Sequence, residues 1–343
     1  MKSAEKNPRT PLKRLAVPVL FFLLAAAAAL FLLPLIGRTF YPPSLWREFF
    51  TGSETPAVQI LAERFWNTAL AFTAGAGLAL AGLILQTLFR NPLASPFTLG
   101  IAGGASLGAV LAIALTPILF TAGFVPFTGV GGALLGSALA IGLVLFLARG
   151  HDMASETVLL AGVGVNFFFS GLILFVQYLS EEGRLFRMIR WTMGQVSLTN
   201  PCLLLFLAAA VLLSALVLAL FAEEMDILLT GDERAVSLGV SLYRLRVFLF
   251  LLSSVLVGAV VSVCGPIGLV GLTAPHFARR LCGGNHRDLI PASLFFGAVF
   301  LSLCYTAART LLYPDILPVG VITSLLGGPF FIWLLTRTAK TAS

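Results

Sequence analysis

Residues 91–148 read NPLASPFTLGIAGGASLGAVLAIALTPILFTAGFVPFTGVGGALLGSALAIGLVLFLA, 58 consecutive positions without a formal charge. A bilayer core about 30 Å thick is crossed by about 20 apolar helical residues, so this run is long enough for two crossings. It is interrupted at Thr116-Pro117 and through the Gly/Pro/Thr-rich residues 121–129, where a short hairpin turn is expected. The rest of the chain repeats the pattern. Further uncharged stretches cover 15–37, 65–89, 157–180, 191–222, 247–278, 289–308 and 316–336. The 15 acidic and 22 basic residues sit in short clusters between them. The expected fold is an all-α, polytopic membrane protein whose interior carries no charged side chain.

Composition agrees. The chain is 58% hydrophobic and only 11% charged, with a mean hydropathy of +0.98. Soluble domains carry about 25% charged residues, so a soluble reading fails. The net charge of +7 does not point to nucleic acid, because the basic residues flank apolar runs as topology signals do. Cys202, Cys264, Cys282 and Cys304 form neither a CxxC pair nor a disulfide framework and are read as small apolar packers. Lys2, Lys6, Arg9, Lys13 and Arg14 precede the first run. That start resembles a secretory leader, but the run is too long for a signal core and is kept as the first helix.

Ten crossings are expected. Residues 191–200 are rich in Gly, Ser and Thr. They are too short to span and should be re-entrant or surface-lying, packed against protein, before Pro201 opens an apolar helix. The stretch 247–278 breaks at Gly265-Pro266 and leaves a second piece of some 15 residues, Ile267 to about Leu281. Charge parity decides whether it crosses. If it does, fifteen of the 22 basic residues fall on one side, including Arg279, Arg280 and Arg287. The positive-inside rule then favours ten crossings with both termini cytoplasmic. The glycines spaced four apart (Gly100, Gly104, Gly108; Gly132, Gly136), with Gly75, Gly77 and Gly82, should let helices approach closely within the chain. A dimer seam or pore wall is the sharper alternative.

The charge map also limits mechanism. Proton-coupled carriers need titratable groups within the membrane. Here His276 is the only imidazole inside an uncharged stretch, and a structural, hydrogen-bonded role is the readier reading. A phosphate-binding loop needs a lysine beside its glycines, yet Lys2, Lys6, Lys13 and Lys340 are all terminal. HExxH, a GxSxG-type serine with catalytic partners and paired aspartates are lacking, and no catalytic or metal-ligating residue is assigned. If the chain is an active pump, another polypeptide burns the fuel.

Two loops could meet such a partner. In 223–244, Thr230 and Glu233 have capping-box spacing and Gly239 is placed to stop a helix at φ > 0. A short, rigid cytoplasmic helix is expected between the sixth and seventh spans. In the second loop, Asn91-Pro92 should end one helix and Ser95-Pro96 open the next.

Together, several stretches resemble the FecCD-type permeases of ATP-binding-cassette importers for iron–siderophore complexes, haem and vitamin B12. These are Ala74–Gly82 with Gln86, Arg90–Pro96 (RNPLASP), Leu99–Gly104, Thr230–Gly239 (TGDERAVSLG), Gly265–Arg280 (GPIGLVGLTAPHFARR), Leu317–Gly320 (LPVG) and Leu326–Phe331 (LGGPFF). The resemblance implies a single type II permease domain over 1–343, with a cytoplasmic tail at 1–14. It implies a homodimer in the bacterial cytoplasmic membrane, two copies of a cytoplasmic ATPase that uses ATP and Mg, and an extracytoplasmic binding protein. It implies no cofactor on this chain. ATPase coupling is expected at Thr230, Gly231, Asp232, Glu233, Arg234, Ala235, Leu238 and Gly239. A cytoplasmic turn is expected at Arg90, Asn91 and Pro92, and binding-protein docking at Arg64 and Arg309. The family's second outer arginine falls where this chain has Asn67, its aspartate at Tyr305 and its glutamate at Ile316. The rival reading is an ion-gradient-driven carrier, which would need a role for His276.

Overall fold

The computed structural model of the chain describes residues 24–37, 40–97, 99–119, 125–149 and 155–341, which leaves the basic tail 1–14 and residues 121–124 of the expected turn outside; residues 125–129 of that turn are helical instead. The described residues form helices and connecting loops only. In chain order the helices are α1 (Leu24–Leu35), α2 (Leu45–Phe50), α3 (Pro56–Leu88), α4 (Ile101–Leu119) and α5 (Val125–Ala148). Then come α6 (Ser155–Tyr178), α7 (Glu182–Thr192), α8 (Pro201–Leu220), α9 (Ala222–Leu228) and α10 (Asp232–Ser237). The last four are α11 (Leu242–Cys264), α12 (Val270–Cys282), α13 (His286–Thr310) and α14 (Val319–Thr341).

Among the described residues, six helices (α3, α5, α6, α8, α11 and α13) are long and apolar enough to cross a membrane. Three more, α1, α4 and α14, have shorter apolar portions. The half-helix α12 has 13 residues. These match, one for one, the ten segments expected from the charge map. The added pieces are short. α2 and α7 lie at one end of the bundle, α9 and α10 at the other.

Local signals set several boundaries. Thr55 Oγ1 accepts the Val58 amide and Pro56 occupies the first turn of α3. Asn200 Oδ1 accepts the Cys202 amide at 2.9 Å ahead of Pro201. Both follow the preference for oxygen-bearing N-caps and early proline. One expected start is not made. Residues 91–100 stay irregular and α4 begins only at Ile101, not at Ser95-Pro96. Asn91 Oδ1 closes a turn on the Leu93 amide at 2.9 Å, and the rest of the segment packs between α6 and α12. Gly271 lies close to Pro96, and Gly100 (φ +73°) close to the Gly162 carbonyl.

α3 is the centre of the molecule. It is 33 residues long, about 50 Å at 1.5 Å per residue, and α8, α11, α12 and α13 all pack on it. Its small residues are buried on every side, including Ala71, Ala74, Ala79 and Ala81. At two points the backbones of neighbours touch. A Cβ on Gly75 would overlap the Gly297 carbonyl of α13, and one on Gly82 the Gly271 carbonyl of α12. In the same way Gly104 and Gly108 of α4 face Gly136 and Gly132 of α5. The glycine stripes therefore serve packing within the chain, as small-residue faces do in lipid.

An extended stretch between α7 and α8 is tied into the bundle by backbone hydrogen bonds. After α7 the chain runs extended from Met193 to Asn200, and the Gln195 amide donates to the Cys264 carbonyl at 2.8 Å. The Gly320 amide donates to the Gly194 carbonyl at 3.3 Å. Gly194 and Gly265 adopt φ +71° and +68°, where a side chain would be strained. The expectation that 191–200 is packed in protein holds, although its first two residues end α7.

Gly82→Ala should force α3 from α12 and destabilise by about 1–3 kcal/mol, as overpacking does. Gly142→Ala, where nothing lies within 4 Å, should be neutral or stabilising, since alanine is the better helix former. Thermal midpoints of detergent-solubilised protein, read by size-exclusion, distinguish the two outcomes.

Candidate functional site

The loop between α8 and α11 folds as two short helices set at an angle. Met225 and Leu228 of α9 and Ala235 of α10 are buried against the bundle. Glu233, Arg234, Ser237 and Gly239 are exposed, together with the apolar side chains of Leu229, Val236 and Leu238. The predicted stop is made as read. Gly239 has φ +85°; its amide bonds to the Val236 carbonyl at 2.9 Å and that of Val240 to Ala235 at 3.0 Å. These are the paired bonds of a Schellman turn. The predicted start is not made as read. Thr230 Oγ1 donates to the Ile227 carbonyl at 2.8 Å and so closes α9. Gly231, at φ +113° and without a side-chain cap, precedes α10 instead. The glycine turns the chain between the two helices, and the Thr230 hydroxyl faces backwards.

Asp232 ties α10 to two spans. Arg246 Nη2 of α11 donates to its Oδ2 at 2.6 Å, and the Arg90 guanidinium lies against its other oxygen. Arg90 follows α3 in a left-handed conformation, φ +48°. The Arg90 amide bonds to Thr87 at 3.2 Å and the Asn91 amide to Gln86 at 3.1 Å, forming a second Schellman turn. A side chain in this region costs about 1–2 kcal/mol. Burial, and then the charge of Arg246, depress the Arg90 pKa, and Asp232 lies between the two cations. The two loops singled out in the sequence, Arg90–Pro92 and Thr230–Gly239, thus form one surface. The sequence reading took Arg246 only as a topology charge. Nothing local to it distinguishes it from Arg244.

The opposite end of α3 holds Arg64, and the opposite end of α13 holds Arg309. Both line a cavity of about 310 Å³ with Gly37, Tyr41, Glu63 and Tyr305. Arg64 lies over the Tyr41 ring at 5.0 Å and Arg309 over the Tyr305 ring at 5.6 Å. The two arginines are not equivalent. Arg309 is 8% exposed and donates from Nη2 to the Leu33 carbonyl in the last turn of α1. Its Nε and Nη1, and Nη1 of Arg64, are buried without a hydrogen-bond partner among the described residues. The cavity can therefore receive an acceptor such as a carboxylate, and Arg64 is the more accessible of the two. Asn67 Oδ1 accepts the Leu198 amide at 2.7 Å and so anchors the extended 193–200 segment. Tyr305 is buried beneath Arg309, which fits a packing role. Ile316 is exposed at the cavity edge. His276 Nε2 has no hydrogen-bond partner among the described residues, unlike the bonded histidine expected. Its ring sits edge-on to Phe277 and Phe330 at 6.2 and 5.9 Å.

Comparison with known proteins follows the same lines. The model of the FecCD transport family matches residues 20–337. The hemin transport system permease protein HmuU of Yersinia pestis is 39% identical over 286 residues, 82% of this chain and 84% of that protein. The vitamin B12 import system permease protein BtuC of Vibrio vulnificus is 34% identical over 327 residues, 95% of each chain. The Fe(3+) dicitrate transport system permease protein FecC of Escherichia coli is 36% identical over 276 residues, 80% of this chain and 82% of that protein. A solved structure described as an inward-facing conformation of a metal-chelate type ABC transporter superposes with a TM-score of 0.82 at 29% identity, over 94% of this chain and 99% of that one.

Asp232→Ala leaves Arg246, whose side chain is 8% exposed, without its counter-charge. Because Asp232 is itself 45% exposed, the cost should be about 1–2 kcal/mol rather than that of a fully buried pair. α10 should loosen, and limited trypsin digestion should cut after Arg234 several-fold faster than in the parent protein.

Proposed function

Since this chain belongs to the FecCD transport family, we propose that it carries an iron–siderophore, haem or cobalamin-type chelate across the bacterial cytoplasmic membrane as one half of a homodimer. The chain is the multi-pass, membrane-spanning permease subunit of an ATP-binding-cassette importer. It is not an enzyme; a separate ATPase hydrolyses the nucleotide. The partner's ATP and Mg are not bound here. The α10 end would face the cytoplasm with both termini, and the Arg64–Arg309 end would face the binding protein.

The observation that carries this reading is the exposed knob of α9 and α10. It presents Leu229, Val236 and Leu238 to solvent beside Glu233 and Arg234, yet it is anchored to α3 and α11 through Asp232. An apolar face on a loop braced by two spans suits a partner that pushes. At the other end, unpaired guanidinium nitrogens suit a carboxylate-bearing partner. The importer cycle proposed here is mechanical. Closure of the ATPase subunits displaces the knob, and the spans tilt to open a path between the two copies.

The permease, co-purified with its ATPase and reconstituted with a binding protein, should accumulate ferric dicitrate, hemin or cyanocobalamin in liposomes only when ATP is supplied. ATP-independent accumulation by the permease alone would overturn the reading. Glu233→Ala or Gly239→Val should lower uptake while leaving membrane insertion intact. Arg64→Glu should weaken docking of the binding protein, most strongly at low salt, since rim charges act chiefly on encounter.

A further inference from the structure

His286 opens α13 and is fully buried. Its ring is held on both sides. Nδ1 lies 2.5 Å from Asp226 Oδ1 on α9, and Nε2 lies 2.7 Å from Thr87 Oγ1 in the last turn of α3. The His286 amide also donates to Asp226 Oδ1 at 3.1 Å. Asn285 caps the same helix start by accepting the Arg287 amide at 2.9 Å, so the backbone that carries the ring is fixed. One imidazole thus joins three elements. None of these residues belongs to the exposed α10 surface.

Position gives the bridge its interest. Asp226 sits in the helix that immediately precedes the knob. Thr87 and His286 sit at the near ends of α3 and α13, the two helices whose far ends carry Arg64 and Arg309. Between those ends α3 and α13 lie flush, with the backbones of Gly75 and Gly297 in contact. The pair is therefore a continuous body from the knob to the 310 Å³ cavity. Apolar contacts between α9 and these spans would let α9 slide. Hydrogen bonds are directional, and this bridge, with Thr87 and His286 buried and Asp226 at the rim, favours one arrangement. The Arg287–Glu223 ion pair beside it is exposed at both partners and adds little.

We propose that His286 is a positioning residue that conveys displacement of the α9–α10 knob to the α3–α13 pair, and through it to the Arg64–Arg309 cavity. This rests on the importer reading above. The role belongs to the bridge as a whole: cutting either half should uncouple the two ends of the molecule. Asparagine reproduces the reach of Nδ1, so His286→Asn keeps the Asp226 contact and loses Thr87. Glutamine reproduces the reach of Nε2, so His286→Gln keeps Thr87 and loses Asp226.

The experiment uses the complete permease–ATPase complex in nanodiscs. Ile316, at the edge of the cavity, is replaced by Cys and labelled with an environment-sensitive fluorophore, in a background where the exposed Cys202 is Ser. ATP should shift the label's emission in the parent complex. His286→Asn and His286→Gln should each reduce that shift about fivefold or more, the scale of a modest coupling energy, while ATP hydrolysis persists. An undiminished shift in both variants overturns the proposal, and so does a parallel loss of shift and hydrolysis, which would mark a merely structural histidine. Thr87→Val removes the His286 bond, together with the intrahelical bond from Thr87 Oγ1 to the Leu83 carbonyl, at nearly constant volume; it decides the matter if the His286 variants do not assemble, an unchanged shift again overturning the proposal. A parent complex that hydrolyses ATP without any shift sinks only this proposal, whereas one that neither hydrolyses ATP nor imports a chelate sinks the importer reading itself.

Discussion

Lipid offers no hydrogen bonds, so each backbone group in the membrane must find a partner inside the protein. This constraint explains why the long apolar segments among the described residues are helical, and why the extended one between α7 and α8 is bonded to its neighbours. The extended 193–200 segment survives at depth because Gln195 bonds to Cys264, Gly194 to Gly320, and Asn67 to Leu198. The break at Gly265 is accommodated by the same junction. Deprived of these partners, each unpaired amide would cost several kcal/mol.

The same lack of solvent removes the usual drive to bury apolar faces, and helix association falls to close packing. α3 shows the result. Its small residues let α12 and α13 come to backbone contact, and the charged side chains proposed to meet partners sit at its two ends. Arg64 near its start and Thr87, Arg90 at its close are separated by a shaft without charge. Whatever one end feels can reach the other only through mechanical continuity, since no titratable chain runs between them.

Much of this was legible in the sequence, for a physical reason. The absence of charge over 91–148 is forced by lipid and needs no knowledge of the fold, so the spans could be read directly. Gly239 was legible because a left-handed stop is a local matter. Thr230 misled because capping spacing says nothing of the backbone turn that Gly231 makes between the two helices. Ser95-Pro96 misled because packing between α6 and α12 overrides a local start signal. His286 gave no signal, since its ring partners lie 60 and 199 residues away. Arg309 was expected at a docking face; the last turn of α1 covers it, and no motif announces that contact.

Arg90 has a further consequence. Its left-handed backbone closes the end of α3 and brings its guanidinium to the same carboxylate that Arg246 holds. One carboxylate thus keeps two guanidiniums together. Take it away and two like charges are left side by side, each disfavouring the other, so parting α10 from the spans costs more than the loss of a lone pair of ions.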